Sequence, residues 1–298
     1  MEKEKTIQFV EVGPRDGFQN VKEFIPTKTK LEIIEKMIAA GVKNIQITSF
    51  VSPKAIAQMK DAKEIADVIT KKYPQVHLWA LVPNFKGAQL AWESGLKNTN
   101  YVISVSESHN KANVNKTRDE SFVELEKIMK ELPQLHICLD VATAFGCPFE
   151  GIIAYQEVKD FVARGIALGI TEFNICDTVG VAFPTQVRSY LLALQEAFPD
   201  VTLNVHIHDT RNMGIVNTLA AIECGITKVQ ASIGGLGGCP FAPGASGNTS
   251  SEDLIYMLNL MGYETGVQFD ALLDAAQYTK EHIEGNYSGH QLFIQKKI

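Results

Sequence analysis

The chain has 298 residues, 45% hydrophobic and 21% charged, enough for a full core in one large α/β domain or two smaller ones. Its formal net charge of -6 gives no basic footprint for a nucleic-acid partner, and no apolar run is long enough to span a membrane. Five scattered cysteines (Cys138, Cys147, Cys176, Cys224 and Cys239) never form a Cys-x-x-Cys pair, and residues 1–5 lack the apolar stretch of a signal peptide, so a cytoplasmic protein with reduced thiols is expected.

A strand-then-helix rhythm runs through the sequence. Apolar strand candidates fall at 7–12, 44–49, 77–82, 101–105, 135–141, 172–176, 203–207 and 228–232. Helical patterns lie between them at 28–40, 52–71, 85–94, 120–132, 155–168, 184–197 and 212–224. Gly41, Gly95, Gly169 and Gly225 follow four of these helices, the usual helix stop. Eight βα repeats predict an α/β fold, a (β/α)8 TIM barrel with additional C-terminal helices. A doubly wound open sheet is the rival. Polar residues after nearly every strand favour the barrel, because an open sheet concentrates its chemistry at one switch point. No linker rich in Pro, Gly or Ser divides the chain, so a single catalytic domain over 1–298 is expected, with the barrel over about 5–250 and a helical extension over about 251–298.

In a barrel the segments that follow the strands converge on one face. After the first strand comes Gly13-Pro14-Arg15-Asp16-Gly17, a permanent cation beside a hard oxygen donor, or simply a capped loop. The seventh strand ends in His206-Ile207-His208. Residues two apart on a strand face the same way, so both imidazoles share one side. Taken alone, the pair could equally be two strand-end histidines bonded to neighbours. After the eighth strand comes a glycine-rich segment, 233–248, that holds Cys239 and ends at Asn248; it reads as a surface loop or as a lid whose backbone approaches a ligand. Convergence would bring Asp16, His206, His208 and Asn248 together as two nitrogen and two oxygen donors, a set that suits Mg²⁺, Mn²⁺ or Zn²⁺. A closed structural zinc site would use cysteines instead.

These segments resemble the 3-hydroxy-3-methylglutaryl-CoA lyase family of the DRE-TIM metallolyases. The resemblance is carried by 10–17, Thr48-Ser49-Phe50-Val51-Ser52-Pro53-Lys54, Phe145-Gly146-Cys147-Pro148-Phe149-Glu150, Asp177-Thr178-Val179-Gly180, His206-Ile207-His208-Asp209-Thr210 and the loop through Cys239 and Asn248, in the lyase order. It implies a divalent metal, Mg²⁺ or Mn²⁺ foremost, and cleavage of an acyl-CoA substrate to acetyl-CoA and a keto acid. It also implies that Asp16 and His206 move the hydroxyl proton, that Arg15 binds the thioester oxygen, that Asp177 is a supporting carboxylate and that Cys239 protonates the enolate. Lys111 and Lys116, with Arg118, are candidates for the CoA phosphates, although a solvated loop with ordinary surface charges explains them equally well. By analogy with such barrels a homo-oligomer, a dimer, is expected.

The sequence departs from the family pattern on three strands. Gln46 stands where the family has glutamate. Cys138, Asp140 and Ala142 stand in place of the Arg, Tyr and Ser of an Arg-x-Tyr-x-Ser pattern, and Gln230 stands in place of an aspartate. Gln46 and Asp140 are therefore candidate substrate-binding residues along with Arg15. The expected activity is cleavage of 3-hydroxy-3-methylglutaryl-CoA to acetyl-CoA and acetoacetate. The alternatives are the same cleavage of a related thioester such as citramalyl-CoA, or a Claisen-type acyl-CoA synthase. A catalytically dead scaffold would have lost the metal set or the lid thiol, and neither is lost.

Overall fold

A computed structural model describes residues 5–238 and 247–294. Eight parallel strands close into a barrel in chain order: β1 (Gln8–Glu11), β2 (Asn44–Ser49), β3 (His77–Leu81), β4 (Asn98–Ser104), β5 (His136–Ala142), β6 (Glu172–Asp177), β7 (Thr202–Ile207) and β8 (Lys228–Ala231). Among the described residues ten α-helices accompany them: α1 (Thr27–Ala39), α2 (Ala62–Lys72), α3 (Phe85–Glu93), α4 (Glu107–Val114), α5 (Arg118–Glu131), α6 (Tyr155–Ala167), α7 (Pro184–Ala197), α8 (Gly214–Glu223), α9 (Ser251–Leu260) and α10 (Phe269–His282). None of the described helices is long and apolar enough to cross a membrane.

Each strand separates apolar from polar residues by simple alternation. On β6, Phe173 and Ile175 are fully buried under helices, and Gly165 of α6 comes so close to Phe173 that a Cβ there would lie 2.6 Å from the ring. Each fully buried side chain of this kind contributes about 1.5–3 kcal/mol of burial. The alternate residues Glu172, Asn174 and Cys176 face the lumen. The lumen is rich in polar side chains: Gln46, Asn100, Asp140, Asn174, Asn204, His206 and Gln230 are all buried. A buried polar group must be hydrogen-bonded, so these side chains meet one another across the barrel.

At the N-terminal end of the strands they form a plug. Glu172 accepts from Lys228 Nζ at 2.6 Å and Asn204 Nδ2 at 2.6 Å, and lies 2.6 Å from His136 Nε2. Lys228 also sits 4.2 Å above the Trp79 ring centroid, across from β8 to β3. Burial opposes ionisation of Glu172, yet His136 and Lys228 outweigh it and lower its pKa to about 2.

Two expected elements differ. The helix predicted over 52–71 begins only at Ala62. Pro53 disfavours helical geometry at Ser52, and the intervening Ala57–Met59 turn is held against the β1–α1 loop by Gln58, which donates to Val21 O at 2.8 Å and accepts from Ile25 N at 3.1 Å. The region after β4, read as a loop, contains α4, capped by Ser106 and stopped by Asn115 in left-handed geometry at φ 55°. The tail helices are integral to the outer ring. α9 packs on β8, and α10 packs between α9 and α1.

Two buried carboxylates hold the root of the segment after β8. Glu11 accepts from Gly13 N (2.7 Å), Ile233 N (2.9 Å) and Ser251 Oγ (2.6 Å), and Glu252 accepts from Gly234 N (3.0 Å). Burial raises Glu11 to about 7 and Glu252 to about 8 from an ordinary 4.5. The folded chain binds these protons more tightly than the unfolded chain. Their stabilisation is therefore complete below pH 4.5 and is lost as pH rises toward 8. Urea unfolding of the wild type is expected to lose stability between pH 5 and pH 8. Glu252→Gln, which keeps an acceptor for Gly234 N, should shrink that loss by at least about 1 kcal/mol. An equal loss in both proteins would mean that Glu252 is ionised throughout.

Candidate active site

Val12 leaves β1 at φ -111° and ψ 0°, and the chain then makes one wide π-turn, Gly13–Gly17. Such turns present successive side chains on one side and recur at functional sites. Here the turn places Arg15 and Asp16 together at the C-terminal mouth of the barrel, both buried. Gly13 is needed for this approach, because a Cβ would lie 2.8 Å from both Glu11 Oε1 and Ile233 Cγ2.

Arg15 Nη1 bonds Asp16 Oδ1 at 2.7 Å. The other oxygen of Asp16, Oδ2, lies 3.7 Å from both His206 Nε2 and His208 Nε2. The two imidazole nitrogens are 3.0 Å apart. The alternation argument for His206 and His208 therefore holds, and the ligand atoms of Asp16, His206 and His208 lie within 4.8 Å of one another. Burial opposes ionisation of Asp16, but the Arg15 guanidinium, with His208 beside it, holds its carboxyl well below the usual carboxylate range. Burial, with His208 beside it, lowers His206 to about 3, so this ring is neutral. Gln230 Oε1 can only accept, so the 3.0 Å contact makes His206 Nδ1 the donor and leaves the Nε2 lone pair facing the cluster. Gln230, noted in the sequence as a departure, is thus the residue that orients His206. An ionised carboxylate and an inward imidazole lone pair, with a second ring nitrogen beside them, fit a divalent cation.

Asn248 reaches the cluster differently from expectation. Its amide nitrogen faces Asp16 Oδ2 at 2.7 Å and Leu236 O at 3.1 Å. A carboxylate only accepts, so the amide end turns toward it. Asn248 Oδ1, the expected metal donor, is buried with no hydrogen-bond partner among the described residues. Cys239 lies outside the described residues. The ends of its segment meet at the cluster: Gly247 O accepts from Asp209 N, and a Cβ on Gly247 would lie 2.5 Å from Gly238 N.

Asp177 is buried, and both of its oxygens accept backbone N–H groups of its own loop, from Val181 at 2.9 Å and Ala182 at 3.1 Å. Its carboxylate shapes the β6–α7 turn, while its backbone oxygen accepts from His208 N at 3.3 Å. Lys111 and Lys116 are not brought to the cluster. Lys111 is exposed beside Glu107 at 3.5 Å, and Lys116 pairs with Glu124 at 3.0 Å. The two helices after β4 explain this, since α4 supplies Glu107 to Lys111 and α5 supplies Glu124 to Lys116.

The opposite wall holds Gln46 and Asp140. Gln46 Oε1 accepts from Arg15 Nε at 2.7 Å, and its Nε2 donates to Asn100 Oδ1 at 3.0 Å. Asp140 Oδ1 accepts from Asn100 Nδ2 at 2.8 Å and from Asn174 Nδ2 at 3.1 Å. Asn100 and Asn174 were not singled out in the sequence. The signal was present: each is an amide flanked by Thr99 and Tyr101, or Phe173 and Ile175, on strands whose alternate residues face the lumen.

The HMGL-like family model matches residues 6–279. The chain is 36% identical over 285 residues to the (R)-citramalyl-CoA lyase of Chloroflexus aurantiacus, covering 92% of this chain and 90% of that one. It is 38% identical over 279 residues to a hydroxymethylglutaryl-CoA lyase of Bacillus subtilis, covering 93% of each. Among solved structures, an HMG-CoA lyase from Acinetobacter baumannii, in complex with coenzyme A and 3-methylmalate, superimposes with a TM-score of 0.91 at 37% identity, covering 97% of this chain and 94% of that one. The match runs from the first strand to the last helix and includes Arg15, Asp16, His206, His208 and Asn248: the chain belongs to the HMGL-like family.

Proposed function

We propose that the chain is a divalent-metal-dependent carbon–carbon lyase that cleaves 3-hydroxy-3-methylglutaryl-CoA to acetyl-CoA and acetoacetate. The observation that carries this reading is the buried cluster of Asp16, His206 and His208 beside the guanidinium of Arg15. Asp16, His206 and His208 would hold the metal, with Asn248 as the fourth donor through its unpartnered oxygen. When bound, the metal supplies Lewis-acid polarisation of substrate oxygens.

The residues divide the remaining work. Asp16 is ionised and a carboxylate keeps lone pairs beyond the one it would give a metal, so Asp16 can take the proton of the substrate hydroxyl, while His206 would give its one free lone pair to the metal. As that proton leaves, the hydroxyl carbon becomes a carbonyl and the adjacent C–C bond breaks. The bonding pair moves into the thioester, forming an enolate. Arg15 can lend the donors of its fixed guanidinium to that oxyanion. The enolate carbon then needs a proton, and Cys239 is read as its donor because both ends of its segment close on the cluster. Burial in a water-poor mouth strengthens each of these interactions.

A second reading is favoured by specific residues. The relative from Chloroflexus aurantiacus is named a citramalyl-CoA lyase, and Gln46, Cys138, Asp140 and Gln230 depart from the hydroxymethylglutaryl pattern. Citramalyl-CoA undergoes the same bond changes and yields acetyl-CoA and pyruvate. The discriminating experiment incubates the protein with Mg²⁺ or Mn²⁺ and each thioester separately. Acetyl-CoA release with acetoacetate is the expected result. Release only from citramalyl-CoA selects the second reading, and release from neither removes both.

His208→Ala should abolish stoichiometric Mn²⁺ binding in titration calorimetry. Loss of a supporting partner alone costs about 10–100-fold in metal affinity, and loss of a donor costs more. Unchanged Mn²⁺ binding would overturn the cluster as the metal centre. For Cys239→Ser, kcat should fall about 100-fold while KM stays within about two-fold. Parallel changes in kcat and KM would instead mark Cys239 as a binding residue.

A further inference from the structure

The contacts of Gln46, Asn100 and Asp140 have a single direction. A guanidinium can only donate, so Arg15 Nε fixes Gln46 with its oxygen toward β1 and its amide nitrogen toward β4. That nitrogen needs an acceptor, which fixes Asn100 with Oδ1 toward Gln46 and Nδ2 toward β5. Asn100 Nδ2 then needs an acceptor, and Asp140 Oδ1 supplies it while also accepting from Asn174. Four side chains on a turn and three strands thus form one relay that starts at a cation and ends at an anion. All four are buried, so none of the links can be replaced by bulk water.

We infer that Asp140 is a positioning residue for Arg15, holding the guanidinium through Asn100 and Gln46 rather than contacting the substrate. Gln46 has both polar atoms committed within the relay, so it too acts through Arg15. Burial raises Asp140 to about 6, which leaves it mainly ionised at neutral pH and able to accept both bonds.

The direction of the relay makes a specific demand on substitutions. Gln46→Glu keeps the acceptor for Arg15 but points a second acceptor at Asn100 Oδ1. If Asn100 turns over, its oxygen meets Asp140 instead. Gln46→Glu combined with Asp140→Asn removes the conflict, because the new amide can donate to a reversed Asn100, and Asn174 can reverse with it. The two positions must therefore be coupled.

Melting curves of the metal-free protein test the coupling. Gln46→Glu should lower Tm by about 4–8 °C, Asp140→Asn by less than about 2 °C, and the double variant should recover at least about half of the Gln46→Glu loss. A double variant no more stable than Gln46→Glu alone would overturn the relay. The hold on Arg15 is read without substrate from its Nε–H proton by NMR of arginine-labelled protein. Exchange should be at least about ten-fold faster in Asp140→Leu than in wild type, and unchanged exchange would overturn the positioning role. Turnover forms a separate arm, which rests on the lyase reading. There, Gln46→Glu should lower kcat about ten-fold or more with KM within about two-fold, and Asp140→Asn should restore it. A wild type inactive on both thioesters, with the melting and exchange effects intact, would remove the lyase reading and leave the relay standing.

Discussion

A guanidinium buried at the mouth of a barrel has five N–H donors and no way to discharge itself. Arg15 is in that position, and much of the mouth is arranged around it. Asp16 answers it from the same turn and Gln46 from β2. Because Asp16 gives Oδ1 to Arg15, its other oxygen faces the two imidazoles. The cation therefore both holds Asp16 ionised and orients it. Removing the positive charge would leave a carboxylate without its cation in a low-dielectric site, where an unpaired charge is costly. The Asp16, His206 and His208 cluster and the proposed oxyanion partner are thus one electrostatic unit.

The two ends of the lumen use the same chemistry for different ends. At the N-terminal end, Lys228, His136 and Asn204 converge on the Glu172 carboxylate, and Lys228 lies over the Trp79 ring, which closes the barrel. At the C-terminal end, Asp16 Oδ2 and the two imidazoles face one another, and His208 Nδ1 and Asn248 Oδ1 have no hydrogen-bond partner among the described residues. The plug gives the strands a fixed register, and that register carries His206 and His208 to the same height as Asp16.

Much of this was legible in the sequence, because the alternation of β-strands is strict. All eight strands were located from apolar runs. The His206, His208 and Asp16 convergence followed from placing strand ends on one face. What was not legible depends on tertiary partners. The segment 52–61 looks helical in composition, but Gln58 ties it to the β1–α1 loop and the buried Lys30–Asp61 pair, 2.9 Å apart, ties it to α1. α4 is short and polar, and its helicity rests on the Ser106 cap and on Asn115 at its end. Asn100 and Asn174 were passed over because a lone amide on an apolar strand carries no charge to attract attention. Only the structure shows that each is held between specific partners.

The departures from the family pattern look unrelated when taken strand by strand. Taken as a set they balance. The glutamate at position 46 and the aspartate at position 230 become amides, a loss of two negative charges. The arginine at position 138 becomes Cys138, a loss of one positive charge, and Asp140 adds one negative charge. The net charge of the lumen wall is unchanged, while its distribution is not. The negative charge leaves the strands that flank Arg15 and His206 and gathers on β5. Both abandoned positions keep an amide oxygen, and those oxygens are the ones that accept from Arg15 and His206. An acceptor thus stands at Arg15 and at His206, and what differs from the expected family pattern is the distribution of charge across the pocket. A pocket altered in that way can keep its bond-breaking chemistry and still discriminate between thioesters by how their distal carboxylates meet the field.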